Sequence, residues 1–134
     1  MTLAEIKNQI MFQTNNDEDD IEDYLPHLVD YINDGYDRMV KVWTGSHAPQ
    51  EEYPLLEEDD DEPKTPAWTH RYLCDWATWL CYRNGNPQKQ NRGMAYRYAF
   101  EEVLAKLSDE GGLSGIDPDT GLNIQYKNFR NIPV

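Results

Sequence analysis

The sequence predicts an all-α protein: a small bundle of about four helices that carries an acidic loop and an extended C-terminal arm. Apolar residues recur at helical spacing in four stretches, and capping residues, glycine or proline bound those stretches. A length of 134 residues is typical of one domain. We therefore divide the chain into a helical domain over residues 1–110, which includes the acidic loop at 45–64, and an arm over residues 111–134.

The first predicted helix begins at a capping box. Thr2 and Glu5 have the spacing at which threonine and glutamate side chains cap each other's backbone N–H groups. Apolar residues then repeat at helical spacing, which predicts a helix as far as about residue 13. These apolar residues are Leu3, Ile6 and Ile10.

The second predicted helix follows a solvated loop at residues 14–20, which hold four consecutive acids. Residues 21–24 predict a short helical turn, and Pro26 suits a first helical position because its missing N–H costs nothing there. One apolar face follows, and Gly45 is a suitable C-terminal stop. The residues of that face are Leu28, Ile32, Tyr36, Met39, Val40 and Trp43.

Residues 45–64 predict the acidic loop. They contain three prolines and six adjacent acids at 57–62, which we call the acidic run. Like charges at this spacing repel one another and resist compact structure. We therefore expect a solvated, flexible segment.

The third and fourth predicted helices form an antiparallel hairpin. Thr65 and Pro66 suit the N-cap and first position of the third helix, whose apolar residues cover most of its circumference and so predict burial on several sides. Asn84-Gly85 ends that helix, and Asn86-Pro87 starts the fourth within two residues. The core stripe of the fourth helix is Tyr96, Phe100, Val103 and Leu107.

Charge and hydropathy exclude several classes of protein. The chain has a net charge of −13, which suits nucleic-acid binding poorly. Residues 1–62 hold 18 acids and 3 bases, whereas residues 63–134 hold 7 acids and 9 bases, so that one half attracts the other within a chain or between copies. No apolar run reaches the ~18 residues of a membrane-spanning helix. The first residues also lack the pattern of a signal peptide.

Cysteine and histidine positions predict neither a disulfide nor a metal site. Cys74 and Cys81 lie seven residues apart in one predicted helix. That spacing separates them by about 10 Å, too far for a mutual disulfide. We expect buried thiols in a reducing compartment, and synthesis in the cytosol. His70 lies one turn before Cys74, but zinc would need a further ligand from His27 or His47.

The sequence also lacks the motifs of calcium binding, phosphate binding and nucleophilic catalysis. The calcium-like stretches at 15–26 and 117–122 lack the glycine that a calcium loop requires. No phosphate-binding loop and no motif of nucleophilic catalysis is present. We expect no catalysis, no cofactor and no metal. The acidic stretches would then serve solubility, or repel DNA from the wall of a channel.

The fourth predicted helix carries a basic cluster, Lys89, Arg92 and Arg97. Lys89 and Arg92 fall in its first turns, where the helix dipole disfavours cations by a few tenths of a kcal/mol. This placement indicates an acidic partner, although a solvated face is an equal alternative. The candidate partner, in the same chain or a neighbouring copy, is the acidic run, through Asp59, Asp60 and Asp61.

Two segments resemble a known family. LVDYINDGYDRMVKVW is one, and PAWTHRYLCDWATWLCYRNGNPQKQNRGMAYRYAFEEVLAKL is the other. Both are similar to the small head–tail connector proteins (adaptor or head-completion proteins) of tailed bacteriophages, over about residues 20–107. The resemblance implies a structural virion subunit, made in the host cytoplasm, that forms a ring of about twelve copies at the capsid vertex.

The resemblance also implies a set of partners. Such a ring binds the portal protein, continues the DNA channel in the phage neck without specific DNA contacts, and presents a surface to a tail or stopper protein. It contacts no membrane. We expect subunit or core packing from Trp68, Trp76 and Trp79, because three tryptophans exceed the needs of so small a core. We expect the arm to bind portal through Tyr126, Phe129 and Ile132.

An alternative from another class is an acidic DNA mimic that inhibits a DNA-binding enzyme. The net charge fits this role. A mimic, however, needs carboxylates at the spacing of duplex phosphates on a rigid surface, and the two acidic stretches, 17–20 and 57–62, are predicted to be flexible loops.

Overall fold

The computed structural model describes residues 1–14, 21–44 and 51–109. These residues form helices and no strand, with four longer helices and one single turn. Predictions for residues 15–20, 45–50 and 110–134 lie outside them, including the C-terminal arm and its residues Tyr126, Phe129 and Ile132. The helices are α1 (Leu3–Gln13), α2 (Ile21–Tyr24), α3 (Leu28–Thr44), α4 (His70–Tyr82) and α5 (Pro87–Asp109), with 3₁₀ turns at Leu25–His27 and Ala67–Thr69.

The predicted start of α1 is confirmed. The Thr2 hydroxyl accepts the N–H of Glu5 at 3.2 Å, and the Glu5 carboxylate accepts the N–H of Thr2 at 3.1 Å. This reciprocal pair satisfies two backbone donors that a helix start otherwise leaves without partners. The buried face of α1 is Leu3, Ile6 and Ile10.

Helix α4 lies at the centre of the bundle. It packs against α1, α3 and α5, and nine of its thirteen residues are buried. This burial on several sides confirms the expectation from its nearly continuous apolar surface. The core joins α4 to the buried residues of the other elements, among them Ile32, Tyr36, Met39, Leu56 and Phe100.

The predicted start of α4 at Thr65 and Pro66 is wrong by four residues. A 3₁₀ turn at Ala67–Thr69 comes first, and α4 begins at His70. The reason is that Thr65 bonds to side chains instead of capping a backbone N–H. Its hydroxyl accepts from the Thr69 hydroxyl at 3.0 Å, and its carbonyl lies 2.9 Å from His70 Nε2.

The predicted α4–α5 hairpin is confirmed. Asn86 caps α5, because its side-chain oxygen accepts the N–H of Lys89 at 2.9 Å. Close approach of the two helices requires glycine at position 93, where an added Cβ would lie 2.8 Å from Trp79 Cε3 and 2.9 Å from Tyr82 Cβ. Across the described ranges, none of the helices combines the length and the apolar character needed to cross a membrane.

Candidate interaction surfaces

The acidic run is folded against itself. The carboxylate of Asp61 accepts the backbone N–H groups of Glu57 and Glu58 at 2.9 Å and 2.8 Å. These two hydrogen bonds lower the pKa of Asp61 below its usual value, against a smaller opposing effect of desolvation. One acid of the run therefore serves as the centre of a turn that positions its neighbours.

The acidic run also caps α1. The N–H of Leu3 donates to the Asp61 carbonyl at 2.7 Å, and the N–H of Ala4 donates to the Asp59 carbonyl at 3.0 Å. These are first-turn donors that have no acceptor within their own helix. Negative charge at a helix N-terminus is also favourable because of the helix dipole. Lys7, one turn further on, forms a 2.8 Å salt bridge with Asp59.

Helix α3 holds the segment just before and just after the run. The Asn33 side chain donates to the Leu56 carbonyl and accepts the Leu56 N–H, each at 2.9 Å. The Leu56 side chain is only 3% exposed, and the Tyr36 hydroxyl accepts the N–H of Lys64 at 2.9 Å. Residues 51–64 form neither helix nor strand, and hydrogen bonds hold this segment on α1 and α3. The expected flexibility of the acidic loop stays a prediction.

Three carboxylates of the run remain directed to solvent. Glu57, Glu58 and Asp60 are exposed, and none of them forms a salt bridge with any residue that the structure describes. Leu55, next to them, is a large apolar side chain that is 48% exposed. The folded run thus presents an apolar side chain beside negative charges on a fixed backbone.

A groove between α3, α4 and α5 forms a second surface, with a volume of about 510 Å³. We call it the arginine groove, because three guanidinium groups stack on aromatic rings along it. Arg38 lies 4.7 Å from the Trp76 ring, Arg97 lies 5.3 Å from Trp79, and Arg83 lies 5.9 Å from Tyr31. The other lining residues are Asp30, Asp34, Leu80 and Glu101.

Asp34 anchors one end of the arginine groove. Its carboxylate accepts the indole N–H of Trp76 at 2.7 Å and the Arg38 Nε–H at 2.9 Å. Partial burial opposes ionisation of Asp34, but these two hydrogen bonds and the Arg38 charge outweigh it and hold its pKa below the usual value. At the other end, Arg97 bonds to Glu101 at 2.8 Å.

The three predicted tryptophans differ in position. Trp76 is 7% exposed and packs on Phe100, with ring centroids 4.9 Å apart, so it contributes to the core of its own chain. Trp79 is half-buried beneath Arg97. Trp68 is half-buried against Tyr72, and its indole N–H has no hydrogen-bond partner among the described residues. Contact of any of them with another subunit stays a prediction.

The predicted electrostatic residues lie in the acidic run and at the start of α5, and neither Lys89 nor Arg92 lines the arginine groove. Asp59 pairs with Lys7 of its own chain, Asp61 binds backbone N–H groups, and Asp60 is exposed. Lys89 and Arg92 lie in the first two turns of α5, as expected. Their contact with the acidic run of a neighbouring copy stays a prediction.

Of the residues considered for zinc, His47 lies outside the described residues, and His27, His70, Cys74 and Cys81 form no metal-binding group within them. His70 Nε2 donates to the Thr65 carbonyl, while the amino group of Met1 lies 2.7 Å from Nδ1, so both ring nitrogens have partners. Burial raises the pKa of the Cys74 and Cys81 thiols to about 12, which keeps them protonated. No group of three or more metal-binding side chains occurs in 1–14, 21–44 and 51–109.

Three residues central to these surfaces were missed by sequence reasoning: Asn33, Asp34 and Arg83. A signal for the first two exists, because asparagine and aspartate are unfavourable inside a helix unless their side chains bond elsewhere. Arg83, directly after α4, has no comparable signal. Comparisons of the chain with known protein families, with curated proteins and with solved structures find no match.

Proposed function

We propose that this protein is a structural subunit of the head–tail connector of a tailed bacteriophage. In this role it assembles with copies of itself into a ring of about twelve, binds the portal protein at the capsid vertex, and offers a surface to a tail or stopper protein. The role is one of assembly and requires no catalysis.

Sequence resemblance suggests which assembly is concerned. The two segments that resemble connector proteins correspond to α3 and to the α4–α5 hairpin. An all-α subunit with an aromatic helix at its centre agrees with that pattern.

One observation carries the assembly role: one small helical body presents two separate ordered surfaces, the folded acidic run with its exposed carboxylates and a groove lined by arginines, carboxylates and aromatic rings. Rigid, ordered surfaces lose less conformational entropy on association than flexible ones. A chain that needed its acids only for solubility would not need to fix two of them by hydrogen bonds to α1 and the flanking residues Leu56 and Lys64 by hydrogen bonds to α3.

The direct test uses the purified full chain and the purified portal protein of the same virus. We expect the chain to co-sediment with portal rings and to add a ring of density to the portal in negative-stain images. A chain that stays in the supernatant at all protein concentrations would reject the proposal.

One structural observation favours the DNA-mimic alternative: the carboxylates of the acidic run are attached to an ordered backbone. Its test is displacement of a short DNA duplex from a candidate nuclease or repressor by the purified chain. Displacement that is lost when Glu57, Glu58 and Asp60 are changed to glutamine, in a chain that does not bind portal, would favour the mimic.

A further inference from the structure

The tip of the α4–α5 hairpin carries the dipeptide Asn84-Gly85, which lies outside both helices. Asparagine is a thermolabile residue, and a following glycine has no Cβ to obstruct the approach of its main-chain nitrogen to the asparagine side chain. The Asn84 side chain is exposed and forms no hydrogen bond within the part of the chain that the structure describes. Its amide group can therefore turn toward the main chain.

The other asparagines in the described ranges lack this combination. The side chain of Asn33 is held by two hydrogen bonds to backbone groups. Asn86 precedes a proline, whose nitrogen carries no hydrogen. Asn8 and Asn91 lie inside α1 and α5, where the main-chain nitrogen that follows takes part in the hydrogen bonding of the helix.

The packing of the turn requires glycine at position 85. A Cβ added there would lie 2.8 Å from Lys89 Cβ and 3.3 Å from the Tyr82 carbonyl oxygen. The first distance is well below the separation of two carbon atoms in van der Waals contact, so a larger residue would push the turn away from the start of α5. The hairpin thus fixes the residue that makes Asn84 reactive.

One hydrogen bond restrains the main-chain nitrogen of Gly85. Its N–H donates to the Tyr82 carbonyl at 3.0 Å, which is the bond of a single turn. The nitrogen must leave this bond before it can attack. Because an exposed turn opens more readily than the interior of a helix, we expect reaction at Asn84 to be slower than in the unfolded chain but faster than at Asn8 or Asn91.

We propose that Asn84 is a site of spontaneous deamidation. The main-chain nitrogen of Gly85 attacks Cγ of Asn84 and forms a C–N bond, while the side-chain amide nitrogen leaves as ammonia with the proton that Gly85 gives up. The product is a cyclic imide, a succinimide. Water, the sole co-reactant, then opens the imide at either of its two carbonyl groups, which leaves aspartate or isoaspartate at position 84.

This reaction changes the charge and the backbone of the hairpin tip. Residues 76–100 contain four basic residues and no acid, so the new carboxylate is the first negative charge in that stretch. It lies beside Arg83 at the C-terminal end of α4, where the helix dipole disfavours a negative charge. Isoaspartate also adds one carbon atom to the main chain of the turn. The inference does not depend on the proposed connector role.

Peptide mass spectrometry of the purified full chain, sampled during incubation at mildly alkaline pH, tests the proposal. We expect Asn84 to gain the mass difference between an amide and a carboxyl group several times faster than Asn8 and Asn91, and faster again in urea. Fragment ions separate Asn84 from Asn86. The matched variant Asn84→Gln keeps the glycine and the polar side chain, and we expect no conversion at position 84 in it.

The products identify the route of the reaction. We expect both aspartate and isoaspartate at position 84, because water can open the succinimide on either side. Aspartate without isoaspartate would indicate direct hydrolysis by water and would overturn the inference. Conversion of Asn84 only in urea, or in the folded chain at the rate of Asn8 and Asn91, would overturn it as well.

Discussion

The side-chain amide of Asn33 forms two hydrogen bonds with the backbone of Leu56, each 2.9 Å long. These two bonds have the same donor and acceptor pattern as the pairing of neighbouring strands. They hold the residue just before the acidic run on α3. Together with the bonds of Asp61 to Glu57 and Glu58, they explain how a segment of adjacent acids keeps one conformation.

Replacing Asn33 tests that explanation. Asn33→Ala leaves the N–H and the carbonyl of Leu56 without these partners, which costs about 1–3 kcal/mol of the free energy of unfolding. We expect faster amide hydrogen exchange over residues 55–61 than in the unmodified protein, with little change in α5. Asn8→Ala, at an exposed position of α1, is the control. Unchanged exchange over 55–61 would show that other contacts suffice.

The Trp76–Asp34 bond makes a prediction about pH. Trp76→Phe removes one of the two hydrogen bonds that hold the pKa of Asp34 below 3.8. Ionised Asp34 contributes stability that is present above pH 3.8 and is lost as the pH falls through the lower folded-state value. In the variant, we expect the carboxyl pKa, measured by NMR titration, to move upward. Trp68→Phe serves as control, because the Trp68 indole N–H has no hydrogen-bond partner within residues 1–14, 21–44 and 51–109. An unchanged Asp34 titration in Trp76→Phe contradicts the role of that bond.

Gly93 limits how closely α4 and α5 pack. Gly93→Ala gains helix propensity of up to about 1 kcal/mol, but its Cβ would meet Trp79 and Tyr82 below 3 Å, and such overpacking costs about 1–3 kcal/mol. We expect a net loss of stability, measured as a lower midpoint in urea unfolding. Asn91→Ala, on the exposed side of the same helix, should be neutral or stabilising. A Gly93→Ala variant as stable as Asn91→Ala would contradict the close packing.

The burial of His70 predicts that the folded protein loses stability in acid. Burial lowers its pKa below the usual 6.5, although the hydrogen bond to Thr65 opposes this. Because the unfolded chain takes up the proton first, stability is complete above pH 6.5 and decreases as the pH falls from 6.5 toward the folded-state pKa. We expect thermal midpoints of the unmodified protein to decline over that interval and those of His70→Gln to decline less. An identical decline in both would assign it to other groups, and His27→Gln, at an exposed site, is the control.

Local signals in the sequence account for the helices. The capping box at Thr2 and Glu5, the proline at position 87 and the apolar repeats each act within a few residues, so the corresponding starts and faces could be read directly. The predicted start of α4 is wrong because it relied on the same kind of local signal. Whether Thr65 caps a helix depends on the hydrogen bonds that the side chains of Thr69 and His70 form with it. The spacing of residues in the sequence does not determine those bonds.

The acidic run required information that is not local. Its conformation depends on Leu3, Ala4 and Lys7 at one end of the chain and on Asn33 in another helix. A composition rule on like charges describes their repulsion but not these bonds, whose donors are distant in sequence. The arginine groove could not be predicted from the sequence for a similar reason, since it forms only where α3, α4 and α5 come together.

The central claim is that this chain exists to assemble, and the mass of its complex with the portal tests it most directly. Multi-angle light scattering of portal mixed with excess chain should give a complex heavier than portal alone by about twelve times 15.7 kDa, the ring expected for a connector. A portal peak of unchanged mass, beside a peak of single 15.7 kDa chains, would contradict the account.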